Sequence, residues 1–486
     1  MPSLADLAAL LPSSRLVGGA VPLTDITLDS RAVRPGMLFC ATRGSRFDGH
    51  DFVAEAIARG ASAVMVTHEM PVPVPQLVVP SVRLAIGMVS SYFFGHPSRA
   101  LRVIGITGTN GKTTTSYLTE SILSRAGHKV GLIGTIEARF GHRNRPSIYT
   151  TPEAPELHHL LADMRADGID SVVMEVSSHG IDQHRVDSMQ FERAVFTNLS
   201  PEHLDYHGTV EQYYATKARL FAPERAKLAV IGTDTDWGKR LAHQVVVEHL
   251  TFGPHARDDF SVTDIELSHR GTQFLLRHPE GSTQLTVPIL GAFNAYNAAG
   301  AVAVAWSMGI DLATAFEGIE TCHAVEGRFE AIELGQPFFV VVDYAHTPDA
   351  IRSLIATARS QSAGRVILVA GARGRRDRLK RPELGRAAAT SDLAIFTTDN
   401  PGDEEPRDIV AQLLAGTLDV ARPAMLVELD RARAIELAIE EARPGDTVLI
   451  VGRGHEQTLR IGADVIHLDD REVARAAIKR RLELVS

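Results

Sequence analysis

A run of apolar residues, Val103-Ile104-Gly105-Ile106, is cut short by Thr107-Gly108-Thr109-Asn110-Gly111-Lys112-Thr113-Thr114, and a helix-forming segment continues to Arg125. Few folds accommodate that order, because it asks for a buried strand, a tight glycine-containing turn and a helix packed back over the sheet. The turn also has the composition of a phosphate cradle. Gly108 and Gly111 let backbone N–H groups approach an anion, Lys112 brings a point charge to β- and γ-phosphates, and a threonine hydroxyl can reach Mg²⁺. The strict phosphate-loop spacing has glycine where Ile106 stands, so this is a shortened relative of that pattern. Its rival is a plain strand-to-helix turn with a solvated lysine.

The rest of the chain repeats the same grammar. At 486 residues it is too long for one core, and a prior of about 100–200 residues per domain suggests about three. The expected division is residues 1–99, 100–331 and 332–486. Strand-like runs at 101–106, 130–133, 171–176, 193–197 and 228–231 alternate with helix-like runs at 155–166, 210–221 and 292–308. A second alternating series follows, with strands at 338–344, 365–370, 393–397, 425–429 and 447–451. The predicted class is therefore α/β in three domains: a small N-terminal α/β domain, a central, mostly parallel sheet like that of P-loop ATPases, and a C-terminal Rossmann-like open sheet. No Gly-x-Gly-x-x-Gly follows the first strand of the third segment, so no dinucleotide is assigned to it.

In doubly wound sheets ligands collect where the carboxyl ends of strands meet loops, and the polar residues of this chain gather there. Ser171 to Met174 delivers Glu175, then Ser177; a strand-end carboxylate suits Mg²⁺, which takes oxygen ligands, although most such glutamates are simply solvated. Asn198 to Gly208 carries Glu202, His203, Asp205 and His207, dense for a plain connection. Lys217 falls on a predicted helix, where composition alone reads as surface. Asn294 and Asn297 are three apart and share a helical face, which suggests hydrogen bonding to a neighbour. In the third segment the strand ends carry Asp343 to Pro348, Gly371 to Arg381, Asp399 to Pro406 and Gly452 to Glu456. The N-terminal Asp29-Ser30-Arg31 either grips a polar ligand or makes an ordinary Asx-turn.

Charge and cysteine content exclude several classes. The formal net charge is −9, which speaks against a nucleic-acid binder despite the cationic run from Arg373 to Arg381. Two cysteines, Cys40 and Cys322, make neither a disulfide framework nor a zinc site and fit a reducing cytosol. There is no signal-like N-terminus and no apolar stretch near about 18 residues. A cytoplasmic protein without a membrane anchor is expected.

Taken together, these motifs resemble those of the Mur ligases, the ATP-dependent amide-forming enzymes of peptidoglycan precursor synthesis, and hence of cell-wall biogenesis, shape and division. The resemblance spans essentially the whole chain. It implies that Gly108, Thr109, Asn110, Gly111, Lys112, Thr113 and Thr114 form the ATP loop, and that Asn294, Arg328, Asp343 and His346 add nucleotide-side contacts. It implies Mg²⁺ held by Thr113, Glu175, His203 and a carbamylated Lys217, with Lys112, Lys217, His203 and Glu175 as the catalytic set. Ser30, Thr150, Thr151, Ser177 and Arg185 match positions that hold a UDP-sugar-peptide. Arg376, Asp399, Asn400, Asp403, Gly452 and Glu456 complete the substrate side.

The implied reaction is the addition of a diamino acid to UDP-N-acetylmuramoyl-L-Ala-D-Glu by way of an acyl phosphate, in a monomer. One departure bears on the acceptor. Members that take meso-diaminopimelate carry Asp-Asn-Pro-Arg, whose arginine grips the distal carboxylate, and here Gly402 follows Asp399-Asn400-Pro401. With that bidentate clamp absent and Asp403 offering a carboxylate, L-lysine or L-ornithine is favoured. Diaminopimelate is the alternative if Arg373 or Arg375 restores the cation in space. Glu202 and Arg453 stand where the family usually shows aspartate and lysine. Two rivals remain: a folylpolyglutamate synthetase-like ligase, opposed by the Asp29-Ser30-Arg31 and Asp-Asn-Pro segments, and a non-catalytic nucleotide-binding sensor, opposed by the joint presence of Lys112, Glu175, His203 and Lys217.

Overall fold

Three open sheets divide the chain, with a separate two-stranded hairpin near the end, in a computed structural model that describes residues 1–44, 47–268, 271–323, 325–418, 420 and 424–485. The first sheet has five strands within residues 15–78. The helix that follows it, Val82–Phe93, lays Val82, Ile86 and Val89 into the same apolar cluster as Ala154, at the start of the helix Ala154–Ala166. That contact seats the N-terminal unit on the central one.

The central sheet has eleven strands. Its middle is parallel: Val130–Ile133, Ser171–Glu175, Arg102–Thr107, Arg193–Phe196, Ala229–Gly232 and His249–Gly253 lie side by side in that order. Val103, Ile104, Ile106, Val172 and Val173 are all fully buried, as near-continuous apolar runs must be when helices cover both faces. Each such side chain removed from water is worth about 1.5–3 kcal/mol. The helix Lys112–Arg125 covers one face together with Phe293–Ser307 and Leu312–Glu320.

The α/β class and the mostly parallel central sheet expected from sequence are what the structure has, but both flanks of that sheet are antiparallel. Glu137–Phe140 and Arg143–Pro146 extend one side, and on the other Phe260–Ser268 joins His249–Gly253 in parallel before Gly271–His278 and Gly281–Val287 continue antiparallel. The second extension escapes a period-two reading because its register shifts between Thr263 and Glu266, where Asp264 has φ +50°. Such a bulge puts successive apolar residues out of step.

The C-terminal sheet has six strands, Phe339–Asp343, Thr447–Val451, Val366–Ala370, Leu393–Phe396 and Ala424–Val427 parallel, with Glu330–Ala331 antiparallel at one edge. Glu330 and Ala331, within the segment read as central, thus pair with the C-terminal sheet. The hairpin Thr458–Ile461/Asp464–His467 stands apart from it. One apolar cluster runs from Ile104 and Phe260 through Phe329 to Ile351 and Leu413, so the central and C-terminal units meet over a shared core.

Candidate active site

Because Arg102–Thr107 lies between Ser171–Glu175 and Arg193–Phe196, the carboxyl ends of three parallel strands bring Gly108, Glu175 and Asn198 to one edge of the sheet. Asn198 then shapes the turn: its carbonyl accepts from the Thr109 N–H at 2.9 Å and its side-chain Oδ1 from the Asn110 N–H at 3.0 Å, while Thr197 Oγ1 donates to the Asn110 carbonyl at 2.6 Å. The two glycines are required by space as well as by backbone angle. A Cβ on Gly108 would stand 1.9 Å from Thr197 Oγ1, and one on Gly111, at φ +83°, would stand 2.4 Å from Asn297 Oδ1. The helix that begins at Lys112 leaves its first N–H groups pointing out of the turn, where an anion is favoured. Gly111→Ala is accordingly expected to weaken nucleotide binding by at least about tenfold, from a left-handed backbone costing about 1–2 kcal/mol and the displacement of Asn297. Calorimetric titration with a non-hydrolysable ATP analogue reads it, and an unchanged affinity would remove the turn from the triphosphate site.

Two lysines converge on the carbonyl of Gly108. Lys112 Nζ donates to Gly108 O and Thr109 O, each at 2.9 Å, and Lys217 Nζ donates to Gly108 O at 2.9 Å and to Thr107 Oγ1 at 3.4 Å. Lys217 sits on the helix Val210–Ala218, 1% exposed, with Nζ 4.7 Å from the centre of the Tyr213 ring. Burial, helped by the positive charge of Lys112, holds its pKa well below that of a free lysine, with Glu202 pulling the other way. Composition alone read this residue as surface; it is among the most deeply buried cations of the fold.

Glu175 is 1% exposed and fully engaged. Its Oε1 accepts from Thr113 Oγ1 at 3.0 Å and from the Thr135 N–H at 2.8 Å, and its Oε2 from Thr135 Oγ1 at 2.9 Å. Thr135 follows the neighbouring strand Val130–Ile133, so the strand-end rule that singled out Glu175 would have found it too. Burial takes the His203 imidazole down to about 3, with His179, His346 and Lys380 pushing the same way against Glu202, so the ring is neutral and able to ligate. Among the described residues no three His, Cys, Asp or Glu side chains stand as a ready metal cage. A buried carboxylate beside a hydroxyl nevertheless fits a hard cation that keeps most of its water.

Glu202, a departure from the family pattern, lies at the seam between the units. It is 4% exposed, with His346 Nε2 at 2.8 Å, Lys380 Nζ at 3.7 Å and His203 Nε2 at 3.9 Å. Burial raises a carboxyl pKa, but here the contact with His346, together with the neighbouring His203 and Lys380, outweighs it and Glu202 is held well below the usual range. His346 Nδ1 meets the Tyr344 carbonyl at 2.9 Å, so both ring nitrogens face acceptors. Arg328 crosses the same seam: Nη2 donates to Thr113 Oγ1 at 2.9 Å and the guanidinium lies 4.4 Å from the Tyr344 ring centre. Asp343 accepts from the N–H groups of Phe329 and Ala345 at 2.7 and 2.6 Å.

These groups surround a cleft of about 460 Å³, lined by the turn from Thr109 to Thr114, by Thr150, Glu175, Ser177, His203 and Asn294, and from the C-terminal unit by Arg328, Asp343, His346 and Arg376. That is the size of a small-molecule site. Asn294 and Asn297 bond to each other at 2.9 Å, and Asn294 also to the Leu290 carbonyl at 2.8 Å. Thr151 accepts from the Ser177 N–H at 2.9 Å, and Arg185 Nη1 donates to the Thr151 carbonyl at 2.7 Å, which orders the rim. Ser30 is not among the lining residues; it lies in the N-terminal unit, donating to Glu55 at 3.2 Å. Asp399, Asn400, Gly452 and Glu456 form a second cluster beyond Tyr344, and Asp403 is at the surface, paired with Arg375.

Comparison with known proteins agrees along the whole chain. Family models match as the Mur ligase family catalytic domain over residues 22–89, the Mur ligase middle domain over 106–305 and the Mur ligase glutamate ligase domain over 327–454. A UDP-N-acetylmuramoyl-L-alanyl-D-glutamate–2,6-diaminopimelate ligase of Geobacillus thermodenitrificans is 41% identical over 472 residues, 96% of each chain. The protein of the same name from Streptomyces coelicolor is 42% identical, over 95% of this chain and 94% of that one. Among solved structures, one described by that same activity superposes with a TM-score of 0.66 at 32% identity, covering 95% of this chain and 96% of the other. The MurF ligase of Thermotoga maritima, solved with ADP, gives 0.69 at 21% identity, a likeness of fold.

Proposed function

The chain belongs to the Mur ligase family, and from that premise we propose that it joins 2,6-diaminopimelate to the D-glutamyl residue of UDP-N-acetylmuramoyl-L-Ala-D-Glu, with ATP as the energy source. The family's ligases form their amide bonds with ATP. The first reading of the acceptor, L-lysine or L-ornithine from Gly402, has weaker support than its alternative, since relatives at 41% and 42% identity bear the diaminopimelate name. The observation that carries the reaction is the meeting of two units on one cleft: the Lys112 turn and Glu175 on one side, Arg328, Asp343 and His346 on the other.

In the proposed sequence the D-glutamyl side-chain carboxylate attacks the γ-phosphorus of ATP, ADP leaves, and an acyl phosphate remains. The acceptor amine then attacks the acyl carbon, phosphate departs, and the amine gives up a proton. Lys112 exchanges its two loop carbonyls for β- and γ-phosphate oxygens, and the N-terminal N–H groups of its helix receive the charge that develops there. Arg328 reaches the same phosphates from the opposite wall. Thr113 and Glu175 would hold one magnesium ion, and His203 with a carbamylated Lys217 a second, neutralising charge on the transferring phosphoryl group. Closure of the C-terminal unit aligns the reactants and excludes water from the acyl phosphate. No helix among the described residues is long and apolar enough to cross a membrane, and we assign the work to the cytoplasm, where nucleotide-linked precursors are made.

The test is phosphate release. It is expected only when ATP, the UDP-linked dipeptide and an acceptor are all present, and to be faster with meso-diaminopimelate than with L-lysine or L-ornithine. Hydrolysis indifferent to the dipeptide and acceptor would make this a plain ATPase, and tight nucleotide binding without turnover a sensor.

A further inference from the structure

The position after Pro401 offers no clamp. Gly402, at φ +62°, has nothing within 4 Å of where a Cβ would stand. The loop 371–377, however, is docked against it. The Gly374 N–H donates to the Asn400 carbonyl at 3.1 Å, and a Cβ on Gly374 would meet the Pro401 carbonyl oxygen at 1.7 Å. Beside that contact Arg373 turns inward, its side chain 19% exposed, and Nη2 donates to Glu456 Oε1. The other Glu456 oxygen accepts from Asn400 Nδ2 at 2.9 Å. Among the described residues Arg373 Nε has no hydrogen-bond partner, and it lies 3.9 Å from Asp399 Oδ1, a buried oxygen that likewise accepts no hydrogen bond from them. The guanidinium is 5.4 Å from the centre of the Tyr344 ring, which lines the cleft. Burial pulls the pKa of Arg373 down, and Tyr344, Asp399 and Glu456 more than reverse it, so the group is a fixed cation.

We propose that Arg373, from the neighbouring loop, holds the distal carboxylate of the acceptor amino acid while Glu456 faces its distal ammonium. The inference rests on the diaminopimelate reading above. The far end of that acceptor is a zwitterion, and Arg373 with Glu456 is a pair of opposite charges in reach of the cleft. A guanidinium has five donors, and here one edge is spent on Glu456, with Nε free of any hydrogen bond. Arg375 cannot serve, because its charge is taken by Asp403 on a half-exposed surface. Lysine or ornithine would bring an ammonium alone. It would compete with Arg373 for Glu456 and leave a largely buried guanidinium short of a carboxylate, so discrimination comes from what the wrong acceptor leaves unpaired.

The experiment measures KM and kcat for meso-diaminopimelate, L-lysine and L-ornithine on the full-length enzyme, on Arg373→Met, on Arg373→Lys and on Arg373→Met combined with Gly402→Arg. Loss of one partner of a buried charge pair predicts a rise in KM for diaminopimelate of roughly 30-fold or more in Arg373→Met. Expected alongside it are a much smaller change in kcat, unchanged KM values for ATP and the UDP-linked dipeptide, and a preference over lysine that collapses. Arg373→Lys keeps the charge without the fork and is expected to fall between, which guards against a methionine variant that merely fails to fold. Gly402→Arg, placed in open space beside Asn400, is expected to bring KM back down. A wild-type preference for diaminopimelate that survives in both Arg373 variants overturns the role of Arg373 and leaves the acceptor reading standing. A wild-type enzyme that prefers lysine or ornithine overturns the acceptor reading itself.

Discussion

Lys217→Ala is expected to lower the rate of amide formation by about 10³-fold or more, on the scale of losing a charged group from a phosphoryl-transfer site, while the protein stays folded. The reason lies in the shared carbonyl of Gly108. Two ammonium groups on one acceptor repel each other; burial lowers the pKa of both, and that of Lys217 falls well below the ordinary value. A neutral amine adds CO₂ and loses a proton to become a carbamate, which turns a like-charged pair into an opposite one and supplies oxygen ligands for magnesium. Enzyme incubated with carbon-13 bicarbonate is expected to show a carbamate resonance that the variant lacks. The sign with pH is set by the amine: its proton leaves as pH rises, so at fixed dissolved CO₂ the signal should grow with pH. Full activity in Lys217→Ala, with no added bicarbonate or other small anion, would sink the carbamate.

Lys112→Met is expected to cost a similar factor, about 10³-fold, and to take it from kcat. The turn does not depend on this side chain for its shape, because Asn198 and Thr197 hold the backbone from the adjoining strand. The substitution therefore deletes a charge and leaves the cradle. Ground-state nucleotide affinity, carried also by backbone N–H groups, should move by less than about tenfold, since an interaction strongest at the transferring phosphoryl group acts on the transition state. Isothermal titration beside single-turnover phosphate release separates the two. A variant that binds nucleotide far more weakly yet turns over normally at saturation would assign Lys112 to binding alone. Lys112→Arg should not restore the rate, because a planar fork does not replace a compact ammonium.

Much of this site was legible because parallel sheets put function at strand ends. The turn from Thr109, Glu175, Asp343 and the loop after Phe196 all follow apolar runs, and all reach one cleft. What sequence could not carry was lateral. Lys380 acts on Glu202 from an element distant in the chain, and nothing in its local sequence marks it, whereas Thr135, at a strand end beside Glu175, was within reach of the rule that found Glu175. Burial was equally hidden: Lys217 reads as surface because a lysine on a polar helix usually is, and only packing against Tyr213 and the Gly108 carbonyl says otherwise. Gly402 is a weaker guide to the acceptor than the names of the relatives, for a related reason. A missing side chain is visible in one dimension, but the guanidinium of Arg373 approaches the same neighbourhood from another loop.

The carboxylate of Glu202 ties His346 and Lys380 to the central unit at the wall of the same cleft in which the acyl phosphate would form. Release and spillage then share one door. If the tie slackens before the amine arrives, water reaches the mixed anhydride and ATP is consumed without a peptide bond; if it outlasts the amide, product is trapped. On the proposed mechanism the dwell time of that ionic knot is expected to set the coupling ratio, phosphate liberated per amide made.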